Sequence, residues 1–448
     1  MGMPFLWEMK LMNNVALIHP AIDFEENYPC SWIPYSVLSL ASRMNPDKYT
    51  VKIYDEHKVP FDKIMQSLVA FSPYLVGISI MTGGGQIERA LLFAQQIKMK
   101  LPNTVIVFGG PHVNVLPEQT LENELIDFVS AGTGQDSFVQ LADCLLNQKE
   151  PSGIDGIYYK DSNSIVCRPK NLKAIIPHLY PYNFSLIEPE DYIRYDATIS
   201  DRTINYIASQ GCPYACNFCY ECTYQKKYYT MSTQCVRNDI ELLATKYNAT
   251  GIKFYDADFF INYKRCREII QSLNDYNLSW AASIHPNDIL HNRENGTNLL
   301  EEIRNSNCKR LLMGMESGSD RVLKEIVNKH VTSNQLVEVA KMIGEFGILG
   351  AYTFMVGYPD ETEDEQNATL ELVEKLWTLN LPIETKVHIY LPYPGTPLYK
   401  RAIELGFVPP DKLEDWSCFN YYKAMTPWTD IALEQKIANF TKMIDKNK

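Results

Sequence analysis

The sequence predicts an α/β protein with two successive α/β regions, a doubly wound parallel sheet and then a partial (β/α)6 barrel of the TIM type. Short apolar segments rich in β-branched residues alternate with helical patterns over residues 12–150, and the alternation resumes over residues 201–400. A proline-rich stretch at residues 151–200 separates the two runs and is expected to be a linker. Residues 401–448 are expected to form a C-terminal extension.

Composition and charge exclude several classes of function. The chain has 448 residues, of which 46% are hydrophobic and 21% charged, as in a globular protein with more than one domain. Its net charge of −12 argues against a sequence-independent grip on nucleic acid. No apolar run approaches the length of about 18 residues that spans a membrane. The N-terminus shows no targeting pattern and the eleven cysteines show no disulfide framework, which favours a reducing cytoplasm.

The first run is expected to contain five parallel strands, with a ligand at their carboxyl ends. The strands are predicted at residues 15–18, 49–54, 75–80, 104–108 and 128–130, and helices at residues 35–41, 61–71, 86–100 and 138–146, with a further helix before the fifth strand.

Glycines and small polar residues cluster where the third, fourth and fifth of these strands end. These residues are Ser79, Met81, Thr82, Gly83, Gly109, Gly110, His112, Gly132 and Gly134. Glycine lets the backbone come close to a large ligand. A dinucleotide is the alternative occupant, but G-x-G-x-x-G is missing, because Glu88 and Ser137 stand in the third glycine position.

The spacing of these residues resembles that of a cobalamin-binding domain. In that family an S-x-L triplet precedes a Gly-Gly pair, and here Ser79-Ile80-Met81 precedes Gly109-Gly110. The resemblance implies that the nine residues named above bind cobalamin. For His112, the alternative is a loop histidine hydrogen-bonded to the backbone.

A second histidine is similar to a known cobalt ligand of the family. Asp55-Glu56-His57 resembles the start of the D-x-H-x-x-G motif, which supplies a histidine to cobalt. Here it follows the second strand instead of the first, and Pro60 stands where the glycine belongs. His57 is therefore expected to be a surface residue, and cobalamin to bind without a protein histidine beneath the cobalt.

The second run is expected to supply six β/α units, which suits a partial barrel better than the eight units of a complete one. Strands are predicted at residues 204–208, 251–255, 279–284, 309–314, 350–356 and 384–389, and helices at residues 232–246, 263–276, 299–305, 320–326, 333–346 and 363–379. A small hairpin is expected before them, at residues 157–159 and 165–167, and an amphipathic helix at residues 430–448.

Three cysteines follow the first strand of this second run. Cys212, Cys216 and Cys219 lie on a loop that Gly211 and Pro213 open. Three thiolates can hold zinc or an iron–sulfur cluster, and thiols that bind no metal are a third alternative. Structural zinc sites usually have four ligands in two pairs, and no second pair follows here. A set of three leaves one metal position open to a substrate.

Polar residues again follow the strands, where barrel enzymes place their catalytic groups. Asp256 and Asp258 follow the second strand, His285 and Asp288 the third, and Glu316 the fourth. Helix caps and turn acceptors are the alternative for such loop carboxylates, and this alternative is weakest for Glu316.

The cysteine spacing, with Phe218 before the last cysteine, resembles the CxxxCx(aromatic)C signature of radical SAM enzymes. Gly314-x-Glu316-Ser317-Gly318 and the segments at residues 357–362 and 394–399 are similar to later motifs of that superfamily, and residues 413–417 resemble the ending of its Mg-protoporphyrin cyclase-like group. The resemblance implies that the three cysteines hold a [4Fe–4S] cluster whose fourth iron binds S-adenosylmethionine (SAM). It further implies that SAM is bound by Phe218, Asp256, Ser283, Glu316, Met355 and Gly357.

The cobalamin-dependent radical SAM family implies a methyltransferase that acts on a small molecule or natural-product intermediate. In that family a 5′-deoxyadenosyl radical takes a hydrogen atom, and methylcobalamin supplies the methyl group to an unactivated carbon or to phosphorus. An electron donor such as flavodoxin or ferredoxin is implied as a partner. One alternative is a non-methylating enzyme with the same cofactors, for oxidative cyclisation or ring rearrangement. The other is a non-enzymatic corrinoid or iron–sulfur sensing protein.

Two residues depart from the family pattern. Cys222 is a fourth cysteine after the motif, and it is a spare thiol, a ligand in a resting form or a catalytic group, of which the first is favoured. His285 stands where relatives often carry arginine.

Overall fold

The protein is represented by a computed structural model, which describes residues 13–22, 32–161, 164–167, 179–221, 227–294, 299–419 and 425–446. The chain forms two compact units. The first contains Met1–Ile176, Tyr180–Asp191 and Pro410–Asn420, and the second contains Pro177–Leu179, Tyr192–Pro409 and Tyr421–Lys448. The expected C-terminal extension is therefore divided between the two units.

The first unit is a seven-stranded sheet with helices. Its strands are β1 (Asn14–His19), β2 (Thr50–Asp55), β3 (Leu75–Ser79), β4 (Val105–Gly109), β5 (Phe128–Ser130), β6 (Ile157–Asp161) and β7 (Ser164–Cys167). Its helices are α1 (Tyr35–Arg43), α2 (Phe61–Phe71), α3 (Gly85–Lys100), α4 (Pro111–Val115), α5 (Pro117–Glu122) and α6 (Gln135–Leu146).

The strand order β2-β1-β3-β4-β5-β6-β7 confirms the doubly wound sheet. The first five strands are parallel, whereas β6 and β7 form an antiparallel hairpin at the edge next to β5. This is the predicted hairpin, and because it extends the sheet, residues 151–200 do not act as a linker throughout. Apolar side chains of β1, β3, α1 and α6, such as Leu17, Leu75, Val37 and Phe138, pack into one buried cluster.

The second unit contains the remaining strands and helices. The strands are β8 (Arg194–Asp196), β9 (Ser200–Tyr206), β10 (Ser209–Gln210), β11 (Tyr229–Thr230), β12 (Gly251–Phe254), β13 (Ser279–Ser283), β14 (Cys308–Glu316), β15 (Leu349–Val356) and β16 (Ile383–Ile389). The helices are α7 (Thr233–Thr245), α8 (Tyr263–Asp275), α9 (Pro286–Glu294), α10 (Leu299–Asn305), α11 (Ser333–Glu345), α12 (Glu363–Trp377), α13 (Pro397–Glu404) and α14 (Ile431–Lys446).

The large sheet of this unit has the order β16-β15-β14-β13-β12-β9-β8 and confirms the partial barrel of six parallel strands. The antiparallel strand β8 adds to β9 at one edge. Helices α11 and α12 begin with capping boxes, in which Thr332 pairs with Gln335 and Thr362 with Glu365. The predicted helix at residues 320–326 is a π-helical turn at Val322–Ile326. No helix in the described ranges is both long and apolar enough to cross a membrane.

The loop after β14 packs so closely on α12 that one position requires glycine. A Cβ atom on Gly318 would collide with the carbonyl oxygen of Ala368, and the Gly318 N–H donates to Thr369 Oγ1 at 3.0 Å. Gly153, in contrast, has open space around its Cβ direction and no positive φ.

We therefore expect Gly318→Ala to destabilise the second unit by roughly 2–4 kcal/mol, because the backbone of α12 would have to move. The matched substitution Gly153→Ala should change stability by no more than about 1 kcal/mol. Denaturant unfolding of the two variants measures this difference. Equal stability of the two variants would contradict the close packing of Gly318 on α12.

Candidate functional site

The start of the cysteine loop is fixed by a buried carboxylate. Asp256, two residues beyond β12, accepts the backbone N–H of Ala208 at 3.0 Å, and its other oxygen accepts the hydroxyl of Ser209. Arg265 Nη2 donates to the Ala208 carbonyl at 2.8 Å. Burial raises the pKa of Asp256 to about 6. Both oxygens of this predicted SAM-binding residue are thus engaged in holding the chain just before Cys212.

The end of the loop is tied to the chain that follows β14. The backbone N–H of Asn217 donates to the Val327 carbonyl at 2.9 Å, and its side-chain amide donates to the Ile326 carbonyl at 2.8 Å. Asn328 Nδ2 donates in turn to the Ala215 carbonyl at 3.0 Å. The Leu398 N–H at the start of α13 donates to the Asn217 carbonyl at 3.1 Å. Residues far apart in the sequence, at 326–328 and at the start of α13, thus fix the position of the cysteine loop.

The three cysteines of this loop are free thiols that need a metal to ionise. Burial raises the pKa of Cys212 to about 12, and it also raises the pKa values of Cys216 and Cys219. A metal centre would therefore have to displace their protons. Among the described residues, the three sulfur atoms do not all lie within 4.8 Å of one another, the spacing that a single ion would need. The wider spacing favours a cluster over zinc. Cys222 lies outside the described residues.

A buried ion pair adjoins the cysteines. Lys329 Nζ lies 3.3 Å from Glu316 Oε1, and the two side chains are only 5% and 8% exposed. Burial alone would lower the pKa of Lys329, but Glu316, Cys216 and Cys219 raise it, so the ammonium stays charged. Glu316 has a left-handed backbone with φ of 66° at a bulge between β14 and β15. Its carboxylate folds over Gly314, where a Cβ atom would collide with it.

Lys329 is not among the site residues that the sequence predicts. It lies 13 residues after Glu316, beyond the π-helical turn, so neither strand nor helix periodicity relates the two positions. Its neighbours in the sequence, Asn328 and His330, are polar, so nothing in the sequence indicates that this lysine is buried.

A second polar group lies after β12 and β13. The ring of Tyr214, on the cysteine loop, stacks on His285 with centroids 3.7 Å apart, and its hydroxyl donates to Asp288 Oδ1 at 2.8 Å. The carboxyl groups of Asp258 and Asp288 lie close enough to affect each other, and burial raises the pKa of both. Burial lowers the pKa of His285 to about 2, so its ring is neutral.

The other predicted SAM residues lie at the same edge of the sheet. The Phe218 ring packs in an apolar cluster with Tyr358 and Met355. Gly357 has a φ of 80°, its N–H donates to Glu361 Oε2, and its carbonyl accepts Trp428 Nε1 at 2.9 Å. The backbone groups of Gly357 are therefore engaged within the protein.

Ser283 ends β13 and is half-buried. Its carbonyl accepts the Phe259 N–H at 3.1 Å, which holds the loop after β12 against β13.

Several buried polar atoms at this edge have no hydrogen-bond partner among the described residues. They are Asp258 Oδ2, His285 Nε2, Tyr358 Oη, Glu361 Oε1 and Tyr390 Oη. Such atoms cost free energy unless a ligand satisfies them. These unpartnered atoms, the buried ammonium of Lys329 and the three thiols suit a zwitterionic ligand that lies beside a metal cluster. The residues present therefore fit a [4Fe–4S] cluster with SAM.

In the first unit, the residues predicted to bind cobalamin share the carboxyl edge of β3, β4 and β5. Ser79 is in register with Gly109, and Gly109 with Ser130. The Gly132 N–H donates to Asn114 Oδ1 at 2.6 Å, and Gly134, directly before α6, has a φ of 71°. The Met81 N–H donates to Gln86 Oε1 at 2.7 Å, and the neighbouring Thr82 is buried.

Two of the glycines at this edge are required because neighbouring protein atoms leave no room for a side chain. A Cβ atom on Gly110 would lie 2.6 Å from the Ile80 carbonyl oxygen, and one on Gly83 would lie 2.8 Å from the ring of Phe419. Gly84, in contrast, has open space within 4 Å of its Cβ direction. Of these three glycines, only Gly84 leaves room for a ligand on that side.

His112 is the most unusual residue of this edge. It is fully buried, and neither ring nitrogen has a hydrogen-bond partner among the described residues. Burial lowers its pKa to about 4, so the ring is neutral and offers one donor and one acceptor. The alternative of a histidine bonded to the backbone is not observed, and the unpartnered ring fits a ligand such as cobalamin.

The expectation that His57 is a surface residue is wrong. Its side chain is 10% exposed, with Nδ1 at 2.9 Å from Asp55 Oδ1 and Nε2 accepting the Ile22 N–H at 2.9 Å. His19 is in register with Asp55, so the two histidines and the carboxylate form a compact group. Both ring nitrogens of His57 are engaged, so the ring has no lone pair for a metal. Its hydrogen bond to the Ile22 N–H holds the chain that follows β1 in place.

Two family models match this chain, one within each of its two units. The model described as B12 binding domain matches residues 27–142, and the model of the Radical SAM superfamily matches residues 206–373. An uncharacterized methyltransferase of Pyrococcus horikoshii is 28% identical over 88% of this chain and 84% of its own length. The anaerobic magnesium-protoporphyrin IX monomethyl ester cyclase of Rubrivivax gelatinosus is 24% identical over 92% of this chain and 73% of its own.

A solved structure has the same fold. It is the radical SAM methyltransferase TsrM of Kitasatospora setae with cobalamin and a [4Fe–4S] cluster bound, which superposes with a TM-score of 0.68 at 16% identity. The superposition covers 89% of this chain and 76% of that one. Both family models match, which confirms the resemblance predicted from the cysteine motif, and the chain is an enzyme that combines a B12 binding domain with a radical SAM domain.

Proposed function

We propose that this enzyme is a cobalamin-dependent radical SAM methyltransferase that methylates an unactivated carbon, or phosphorus, of a small-molecule or natural-product intermediate. The observation that carries the proposal is the arrangement of Cys212, Cys216 and Cys219 beside a buried Lys329–Glu316 pair, in a chain whose first unit is a B12 binding domain. The relative from Pyrococcus horikoshii, which is named a methyltransferase, supports net methyl transfer.

The cysteines would hold a [4Fe–4S] cluster, which supplies the electron that cleaves SAM to a 5′-deoxyadenosyl radical. The buried ammonium of Lys329 would offset the negative charge of the thiolates and of the SAM carboxylate, and Glu316 would hold that ammonium in place. Asp258 and His285 keep unpartnered atoms that would meet polar groups of SAM.

Three further residues would shape the SAM site. Phe218 and Met355 would pack against its apolar parts, and Ser283 would line the edge between β12 and β13. Asp256 and Gly357 would act indirectly, because their polar groups are already bonded to the protein segments beside the site. The enclosed apolar walls would exclude water from the reacting groups.

Cobalamin would lie at the carboxyl edge of β3, β4 and β5. It would meet Ser79, Met81 and Thr82 after β3, Gly109, Gly110 and His112 after β4, and Gly132 and Gly134 after β5. Gly83 would support that edge through its contact with Phe419. When bound, cobalamin supplies the methyl group, and a second SAM replenishes it.

The partners follow from this chemistry. An electron donor such as flavodoxin or ferredoxin would reduce the cluster, in a reducing cytoplasm that suits thiol ligands. The net charge of −12 supports a small-molecule substrate over nucleic acid.

A non-methylating reaction with the same cofactors is the second candidate. The similarity to a magnesium-protoporphyrin IX monomethyl ester cyclase over 92% of this chain favours it. Oxidative ring formation or ring rearrangement would consume SAM without methyl transfer.

The first prediction separates these two functions before the substrate is known. Anaerobically reconstituted protein, loaded with hydroxocobalamin and reduced, should convert SAM to S-adenosylhomocysteine in an amount close to the bound cobalamin, because a methyltransferase must take a methyl group from SAM. Liquid chromatography of the quenched mixture measures this product. If only 5′-deoxyadenosine forms, the methyltransferase proposal is wrong and the non-methylating function stands.

The second prediction concerns the cluster. Cys216→Ala should retain less than about a tenth of the iron and sulfide of the reconstituted wild type and should abolish reductive cleavage of SAM, because two thiolates cannot hold the cluster. Cys235→Ala, on α7, is the matched control and should load normally. Full cleavage activity in Cys216→Ala would exclude this loop as the cluster site.

The third prediction concerns Lys329. Lys329→Met should weaken SAM binding by at least about tenfold while the cluster still assembles, because it leaves Glu316 buried without its counter-charge. Lys329→Arg should restore much of the affinity, and the exposed Lys324→Met should have no effect. Anaerobic titration calorimetry measures the affinity, and unchanged binding to Lys329→Met would remove this residue from the SAM site.

A further inference from the structure

Residues Pro410–Phe419, here named the closing segment, belong to the first unit although they lie far from it in sequence. Gln119, in α5, holds the segment by three hydrogen bonds. Its Nε2 donates to the carbonyls of Pro410 and Asp411, each at 3.0 Å, and its Oε1 accepts Trp416 Nε1 at 2.8 Å. The segment is well anchored, since Trp416 is fully buried and Phe419 is 1% exposed.

The closing segment contacts two of the loops that are proposed to bind cobalamin. The Gly84 N–H, at the start of α3, donates to the Trp416 carbonyl at 3.2 Å, and the Phe419 ring lies over Gly83. The ring of Trp416 meets His112 edge to face, with centroids 5.5 Å apart. One turn of chain therefore connects the loop after β3 with the loop after β4.

The contact with Trp416 orients the His112 ring but gives its two nitrogens no hydrogen bond. The indole N–H is used by Gln119, so the aromatic ring offers His112 a packing surface and no hydrogen bond. The two ring nitrogens of His112 are therefore left for a ligand that presents both a donor and an acceptor. Primary amides, which cobalamin carries around the corrin ring, have both groups.

We propose that the closing segment forms one wall of the cobalamin site and that Trp416 is a positioning residue, which holds His112 for hydrogen bonds to the peripheral amides of the corrin. This inference rests on the proposal that the first unit binds cobalamin. It assigns a cofactor-binding role to residues that lie outside the segment matched as a B12 binding domain, residues 27–142.

The test measures hydroxocobalamin affinity by absorbance titration on the full-length protein. Gln119→Ala removes the anchoring bonds of the segment without altering a proposed cofactor contact, and it should weaken binding by about tenfold. Gln96→Ala, the same change on α3 away from the closing segment, is the matched control and should bind as the wild type does.

A double-mutant cycle tests whether Trp416 acts through His112. Trp416→Ala and His112→Ala should each weaken hydroxocobalamin binding by about tenfold or more. The double variant should bind hydroxocobalamin almost as well as whichever single variant has the lower affinity. Trp416→Phe, which keeps a ring against His112, should lose less than Trp416→Ala. Iron and sulfide content should remain at the wild-type level in all of them, since the cysteine loop belongs to the second unit.

The outcomes are distinguishable. Wild-type affinity in Gln119→Ala, or additive losses in the cycle, would overturn the role of the closing segment and leave the proposed function intact. Should the wild-type protein bind no cobalamin, both this inference and the proposed function would be wrong. If Trp416→Ala does not fold, Gln119→Ala still decides the question.

Discussion

The buried ion pair between Lys329 and Glu316 is the interaction on which the site of the second unit depends. The Lys329 ammonium lies against Glu316 and close to the thiols of Cys216 and Cys219, with water largely excluded. A charge in such surroundings is stable only with its partners in place, and so the left-handed backbone of Glu316, the bulge in β14 and the missing side chain of Gly314 are all needed at once. The same charge would stabilise thiolates and anionic ligands at the carboxyl edge of the barrel.

The cysteine loop owes its position to residues that do not bind a metal. Asp256 and Arg265 hold its start, and the carbonyls of Ile326 and Val327 hold Asn217. Because these bonds come from the end of β12, from α8 and from the π-helical turn after β14, the loop is fixed by three separate parts of the second unit. This makes the site preorganised, which a reaction through a free radical requires if side reactions are to be avoided.

The sequence predicted the parallel strands of both sheets because their apolar segments are short, regular and separated by amphipathic helices. It could not predict Lys329, whose partner is 13 residues away across an irregular turn, or the burial of His57, which depends on Ile22 and Asp55 meeting at the ends of β1 and β2. It also could not place Trp416 against His112, because a tertiary contact between residues about 300 positions apart leaves no local pattern. The roles assigned to single SAM and cobalamin contacts remain predictions.

The central claim is that the three cysteines leave one iron open, and that SAM binds this iron directly beside Lys329. Electron–nuclear double resonance on the reduced protein, with SAM carrying ¹⁵N in its amino group, tests the claim most directly. We expect a nitrogen coupling to the cluster that changes from ¹⁴N to ¹⁵N with the label and disappears in Cys216→Ala together with the cluster signal. A reduced cluster that shows no coupling to labelled SAM would contradict the account.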